Sequence, residues 1–153
     1  MPNVMEKIKG YLEAMRLTYE VRPEGGKVNR LFVPFADSED NRFSVIIDQS
    51  AKWVRFWTLI LSHEKIGGPE KQLEVYRALL KANADLAEVK FFLTPKGDVG
   101  VVGHEGVKVL TVDGFRQEFN AVSFGIHYFI TKIAPKFNLQ ISEIPKDQLS
   151  IYG

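Results

Sequence analysis

The segment from Lys52 to Leu61 limits the possible folds of this chain more than any other, because it predicts a strand that is apolar on both faces. Side chains alternate along a strand, so its apolar residues divide into two sets. One set is Trp53, Trp57, Leu59 and Leu61, and the other is Val54, Phe56 and Ile60. A two-layer domain covers one face of its sheet with helices, so the second face needs another partner.

The length of the chain is consistent with one domain. At 153 residues, the chain is expected to bury roughly 70% of the surface that its unfolded form exposes. Cysteine is absent, which excludes disulfides, thiolate catalysis and thiolate metal sites. We predict a single domain over residues 1–137, followed by a C-terminal tail over residues 138–153.

The charge and the hydropathy pattern bear on location and partners. The net charge of +1 gives no general attraction for nucleic acid or for an anionic membrane. The first residues lack the apolar core of a signal peptide, and no window approaches the roughly 18 apolar residues of a membrane span. We therefore expect a cytoplasmic protein with no nucleic-acid partner and no membrane partner.

The first half of the chain predicts one helix and four strands. Asn3 and Glu6 have the spacing of a capping pair, and apolar residues at helical spacing follow to about Arg16. Four extended segments with short turns then run from Tyr19 to Leu61, and the second of them is expected to end near Pro34. This pattern is typical of an antiparallel meander.

The second half predicts a helix, a hairpin and a long helix. Pro69 suits the first turn of a helix, and residues 88–104 contain two alternating segments joined by a turn. Thr111 opens the last helix, which Pro135 is expected to end. The order α-β-β-β-β-α-β-β-α predicts an α+β two-layer sandwich, an antiparallel sheet flanked by helices.

Three features of this order carry a resemblance to a known family. They are a helix over residues 73–86, a hairpin built from residues 89–93 and 97–102, and a long apolar helix from Val112. With the tryptophan-bearing strand before them, they resemble the YbjN family and, more broadly, the type III secretion chaperone-like fold, over roughly residues 1–137. The resemblance implies a small homodimer with apolar surface available to a peptide. At Asn83, the polar position within it, we expect a hydrogen bond at the helix end.

Two groups of apolar residues are candidates for binding a partner. Trp53, Trp57 and Leu59 share one predicted strand face, while Phe124 and Tyr128 form a second stripe on the last helix. Tryptophan is enriched at interface hot spots because it buries a large area with one polar tip. Burial under a helix would explain the same residues, so both interpretations stay open at this point.

The residue types that usually carry chemistry do not form a recognisable site. His63, His104 and His127 lack the spacing of helical metal ligands, so we predict no metal site. Ser123 precedes His127 by one helical turn, but no third group that would orient the pair is evident. Asp48 closes a strand, where an aspartate often bonds a turn amide. We expect no catalytic, cofactor-binding or metal-binding residue.

These patterns favour a non-enzymatic protein-binding or chaperone-like module that acts as a homodimer. In this hypothesis Trp53, Trp57 and Leu59 anchor a protein or peptide, and an unpaired sheet edge accepts an added strand. The alternative is a small-ligand or nucleotide-sensing regulatory domain with a pocket between sheet and helices. A third possibility is an enzyme whose residues follow no familiar pattern. A flat apolar patch would favour the first, and a pocket with convergent polar groups the second.

Overall fold

A computed structural model describes residues 3–24, 27–36 and 39–141 of the chain. The elements are α1 (Val4–Ala14), β1 (Glu20–Glu24), β2 (Lys27–Ala36), β3 (Arg42–Gln49), β4 (Trp53–Leu61), α2 (Pro69–Asp85), β5 (Val89–Leu93), β6 (Val99–Gly106) and α3 (Val112–Tyr128). After α3 the chain continues as a π-helical turn, Phe129–Ile133, and a 3-10 turn, Ala134–Phe137. The predicted order of helices and strands is confirmed. Most of the predicted tail, residues 142–153, lies outside the described residues.

The six strands form one antiparallel sheet in the order β1-β2-β3-β4-β6-β5. The described α-helices pack on one face of this sheet, where their buried residues join alternating strand residues in a single core cluster. Phe115 of α3 lies near the middle of that cluster, with its ring 5.2 Å from Phe56 of β4 and 5.6 Å from Tyr11 of α1. The two-layer α+β sandwich is therefore confirmed.

The helix starts follow the predicted capping chemistry. The Asn3 side chain accepts a hydrogen bond from the Glu6 amide at 2.8 Å, and the Thr111 hydroxyl accepts one from the Gly114 amide at 3.0 Å. These bonds supply partners to helix amides that otherwise have none. The first helix ends slightly earlier than predicted, at Ala14, because Arg16 adopts a left-handed backbone with φ of 58°.

One predicted strand boundary and one predicted strand face are wrong, and both differences have a local cause. β2 continues past Pro34, which pairs with Ser44 of β3. The proline is tolerated because β1 starts at Glu20, opposite Phe32, and so does not extend along β2 as far as Pro34. At the other end of the meander, the β4–β6 register shifts between Leu59 and Leu61.

This shift is a β-bulge that reverses the face predicted for Leu61. A bulge inserts one extra residue into a strand, so the alternation of side chains restarts after it. Leu61 and Ile60 both belong to the core beneath the helices, while Leu59 belongs to the opposite face. The prediction that Leu61 shares a face with Trp57 is therefore wrong.

The side chain of Asn83 in α2 bonds the backbone of the edge strand β5. Asn83 donates from Nδ2 to the Phe91 carbonyl at 3.1 Å and accepts from the Phe91 amide at 2.8 Å. Asn83 thus bonds a strand rather than the helix end that we expected. Because both backbone groups of Phe91 are engaged, an added strand cannot pair with β5 at this residue.

We predict that Asn83→Ala lowers the free energy of unfolding by about 1–3 kcal/mol, because it leaves two backbone groups of β5 without their partner. Denaturant unfolding measures the change. Lys7→Ala, at an exposed position of α1, removes a side chain outside the sheet and should shift stability by no more than about 0.5 kcal/mol. Equal losses in the two variants would contradict the role of Asn83.

Candidate functional site

The sheet face opposite the helices, called here the outer sheet face, carries an apolar cluster of its own. Phe32, Ile46, Trp57 and Val102 are paired neighbours on four adjacent strands, and Leu59 completes the cluster. Trp57 has 0% of its surface exposed. Within the described part of the chain, every residue of this cluster comes from a strand. The prediction that the tryptophan-bearing strand, β4, is apolar on both faces is therefore confirmed.

A row of charged side chains crosses the outer sheet face beside this cluster. Arg22, Arg30, Asp48, Arg55 and His104 are successive cross-strand partners on β1, β2, β3, β4 and β6. Cross-strand partners lie close enough for their side chains to interact directly. The row thus places one carboxylate between the guanidinium groups of Arg30 and Arg55, with Arg22 and His104 at its two ends.

Asp48 is the centre of this row. Its carboxylate accepts two bonds from Arg55, at 2.6 and 2.9 Å, and one from the Trp57 indole at 3.0 Å. Arg30 approaches the same carboxylate to 4.0 Å, and both Arg30 and Asp48 are buried. The two-point contact with Arg55 is the geometry that a guanidinium and a carboxylate favour. The expected bond from Asp48 to a turn amide is replaced by these side-chain bonds.

Aromatic rings and cations also meet along this row. The Arg30 guanidinium lies 5.7 Å from the centre of the Trp57 ring, and that of Arg22 lies 4.8 Å from the centre of Phe32. Such contacts attract a cation to the ring face. At the far end, burial and the nearby Arg55 charge lower the pKa of His104, so this imidazole is neutral at neutral pH.

The candidate partner-binding residues fall into two separate places. Trp57 and Leu59 are buried within the outer sheet face, whereas Trp53 is 50% exposed at its end and touches His104 edge-on at 6.1 Å. Phe124 and Tyr128 lie on α3, in the other layer of the sandwich. Phe124 is 58% exposed, while Tyr128 is half-buried with its ring 6.4 Å from Phe91. The strand residues and the helix residues therefore form two surfaces.

Phe124 stands between two open hollows on the helical side. One hollow of about 340 Å³ is lined by Leu86, Ala87, Glu88, Val89, Gln117, Asn120, Ala121 and Phe124. The other, of about 370 Å³, is lined by Phe35, Asn120, Ser123, Phe124, Ile126 and His127. An exposed aromatic ring with a hollow on each side is a shape that can receive a protein surface.

The histidines do not converge. His63 bonds Asp98 twice at 3.0 Å, through its backbone amide and through Nδ1 of its ring. Burial alone would raise the pKa of Asp98, but these two bonds lower it below its usual value. His104 lies in the charged row and His127 on α3. The ranges that the structure describes hold no group of three histidine, aspartate or glutamate side chains placed to bind a metal ion.

Glu118 of α3 is a second unusual carboxylate, and no sequence pattern indicated it. Burial, followed by the charges of Glu88 and Glu105, raises its pKa to about 7. Its Oε2 is buried and has no hydrogen-bond partner in the described residues. The carboxyl group lies against β6, since a Cβ on Gly103 would come within 2.8 Å of Oε2. A charged Glu118 is therefore unfavourable in the folded state.

We predict that Asp48→Ala destabilises the fold by about 3–5 kcal/mol, because it leaves a buried guanidinium and an indole N–H without their acceptor. Asp113→Ala is the matched control, since Asp113 pairs with Arg116 at 3.9 Å at an exposed position of α3, and exposed pairs contribute only about 0–1 kcal/mol. Denaturant unfolding compares the two variants. A loss at Asp48 no larger than at Asp113 would refute the central role of this carboxylate.

We predict that Glu118→Gln stabilises the protein in a pH-dependent way. The folded pKa of about 7 exceeds the ordinary 4.5, so the wild type loses stability as the pH rises between these values, and the loss is complete above them. The glutamine variant lacks this loss. Its melting temperature should exceed that of wild type at about pH 8 and match it at about pH 4. An equal difference at both values would disprove the raised pKa.

No helix in the described ranges combines the length and the apolar character needed to cross a membrane.

Comparisons with known proteins support the fold and leave the function open. No family model matches the chain, and no curated protein matches it. One similar solved structure is an uncharacterized protein from Methanothermobacter thermautotrophicus, at 16% identity and a TM-score of 0.62. The match covers 88% of this chain and 99% of that one, which shows a shared fold.

Proposed function

We propose that this chain is a non-enzymatic protein-binding module of the chaperone-like kind, and that it acts as a homodimer. The observation that carries this proposal is the position of Phe124, 58% exposed between two hollows on α3. A large aromatic ring left half in water is costly, and covering it would contribute about 1.5–3 kcal/mol for full burial.

The arrangement around Phe124 is self-complementary. In a two-fold dimer the same patch of both subunits meets, so that a projection on one subunit enters a depression on the other. Here Phe124 is the projection, and the hollow lined by Val89, Asn120 and Ala121 is a depression beside it. A two-fold axis near Asn120 would insert each Phe124 into the partner's hollow and bury both rings.

Further apolar residues remain exposed outside this contact. Trp53 is 50% exposed beside the outer sheet face, and Leu73 and Leu80 of α2 are 60% and 72% exposed. Exposed apolar residues of this size on separate surfaces favour protein partners over an enclosed small ligand. The two hollows beside Phe124 are open to solvent, which suits a partner's side chain better than a small ligand. The alternative of a ligand-sensing domain is therefore less well supported.

The test is the mass in solution, measured by light scattering on a sizing column over a wide range of concentration. We expect a dimer for wild type and a monomer for Phe124→Glu, because each carboxylate would have to enter an apolar hollow. Leu80→Glu is the control, since it places the same charge on another exposed helix position and should stay dimeric. Trp53→Lys tests, by the same measurement of mass, whether the exposed end of the outer sheet face takes part in the dimer. A monomeric wild type, or an unchanged dimer in Phe124→Glu, would overturn the proposal.

A further inference from the structure

A groove of about 660 Å³ runs between α2 and the turns that follow α3. Its α2 wall consists of Glu74, Arg77, Ala78, Lys81, Ala82 and Asp85, and its other wall consists of Tyr128, Thr131, Lys132, Ile133, Pro135, Lys136 and Phe137. Among them Ala78, Ala82, Ile133 and Phe137 supply an apolar floor. We call this feature the basic groove. It is separate from the outer sheet face and from the hollows beside Phe124.

Four cations and two carboxylates, those of Glu74 and Asp85, line the basic groove, which leaves an excess of positive charge. Arg77 and Lys81 are four residues apart on α2, and Lys132 and Lys136 are four apart on the facing wall. None of the four forms an ion pair with a carboxylate of the described residues. Arg77 and Lys81 are like charges one turn apart on α2, so they repel each other. An anion between the two walls would be attracted by cations on both sides.

The facing wall owes its shape to the π-helical turn. At this turn the Ala134 amide bonds the Phe129 carbonyl, five residues back, instead of a carbonyl four residues back. The wider turn buries Phe129 and Ile133 and leaves Lys132 exposed at the groove. Such turns are rare and frequently occur at functional sites. Tyr128, one of the residues predicted to bind a partner, lines the groove beside this turn.

We infer that the basic groove binds an acidic amphipathic peptide segment of a partner protein. This inference rests on the proposed function, because it names the partner that a protein-binding module of this charge would take. Apolar side chains of the segment lie on the floor formed by Ala78, Ala82 and Phe137, and its carboxylates lie between the two pairs of cations. A small inorganic polyanion would match the charges but leave the apolar floor uncovered, so the peptide fits better.

The test uses a fluorescein-labelled synthetic peptide with leucines at helical three- and four-residue spacing and glutamates between them. Fluorescence anisotropy measures its binding to the full chain. We expect the peptide to bind wild type and to bind Lys81→Glu/Lys132→Glu about tenfold or more weakly, because the variant repels its carboxylates. Lys7→Glu/Lys108→Glu makes the same change of net charge at exposed lysines outside the groove and should bind as wild type does.

Two further peptides and one further variant complete the test. Exchange of the glutamates for lysines should abolish binding, and exchange of the leucines for serines should weaken it strongly. If the serine peptide or inorganic polyphosphate binds as tightly as the leucine peptide, the site recognises charge alone and the inference is wrong. Equal weakening in the Lys7→Glu/Lys108→Glu control would also overturn it. Phe124→Glu leaves the groove intact, so this variant should still bind the leucine peptide. This result separates failure of the present inference from failure of the homodimer.

Discussion

The buried carboxylate of Asp48 is the interaction on which the outer sheet face depends. Two arginines and an indole N–H from neighbouring strands surround it, and in the described residues it is the acidic group at the centre of the cross-strand row. Without it, Arg30 and Arg55 would repel each other across β3, and the Trp57 ring could not be buried with its N–H satisfied. The same bonds fix the registers of β2, β3 and β4, because a shift by one residue would move all these groups to the helical face.

The separation of the two candidate surfaces follows from the layered architecture. Trp53 lies with the sheet, and Phe124 and Tyr128 lie with the helices, so no single partner surface includes all the predicted residues. Trp57 and Leu59 are buried in the apolar cluster of the outer sheet face, and their contribution to partner binding stays a prediction. The helical layer offers an apolar contact at Phe124 and a charged groove at Tyr128, and these differ in chemistry as well as position.

The order of elements was predictable because it depends on local patterns: periodic apolar residues, the caps Asn3 and Thr111, and the prolines and glycines between segments. The bonds of Asp48 were not, because they require the register of the hairpin between β3 and β4, which places residue 48 opposite residue 55. The signal was present in the short turn after Gln49, since the length of a turn sets hairpin register. The basic groove was hidden for another reason. It joins residues far apart in sequence, and the π-helical turn that shapes one wall has no simple sequence pattern.

The bonds from Asn83 to Phe91 affect the tendency of the protein to aggregate at high concentration. A bare edge strand is a template on which other chains assemble into fibrils, and proteins usually guard such edges with charge, proline or a covering segment. β5 contains the apolar run Phe91-Phe92-Leu93, and apolar residues on an edge strand favour such assembly. The Asn83 amide acts as a substitute for a neighbouring strand at Phe91 and so blocks pairing in the middle of this edge.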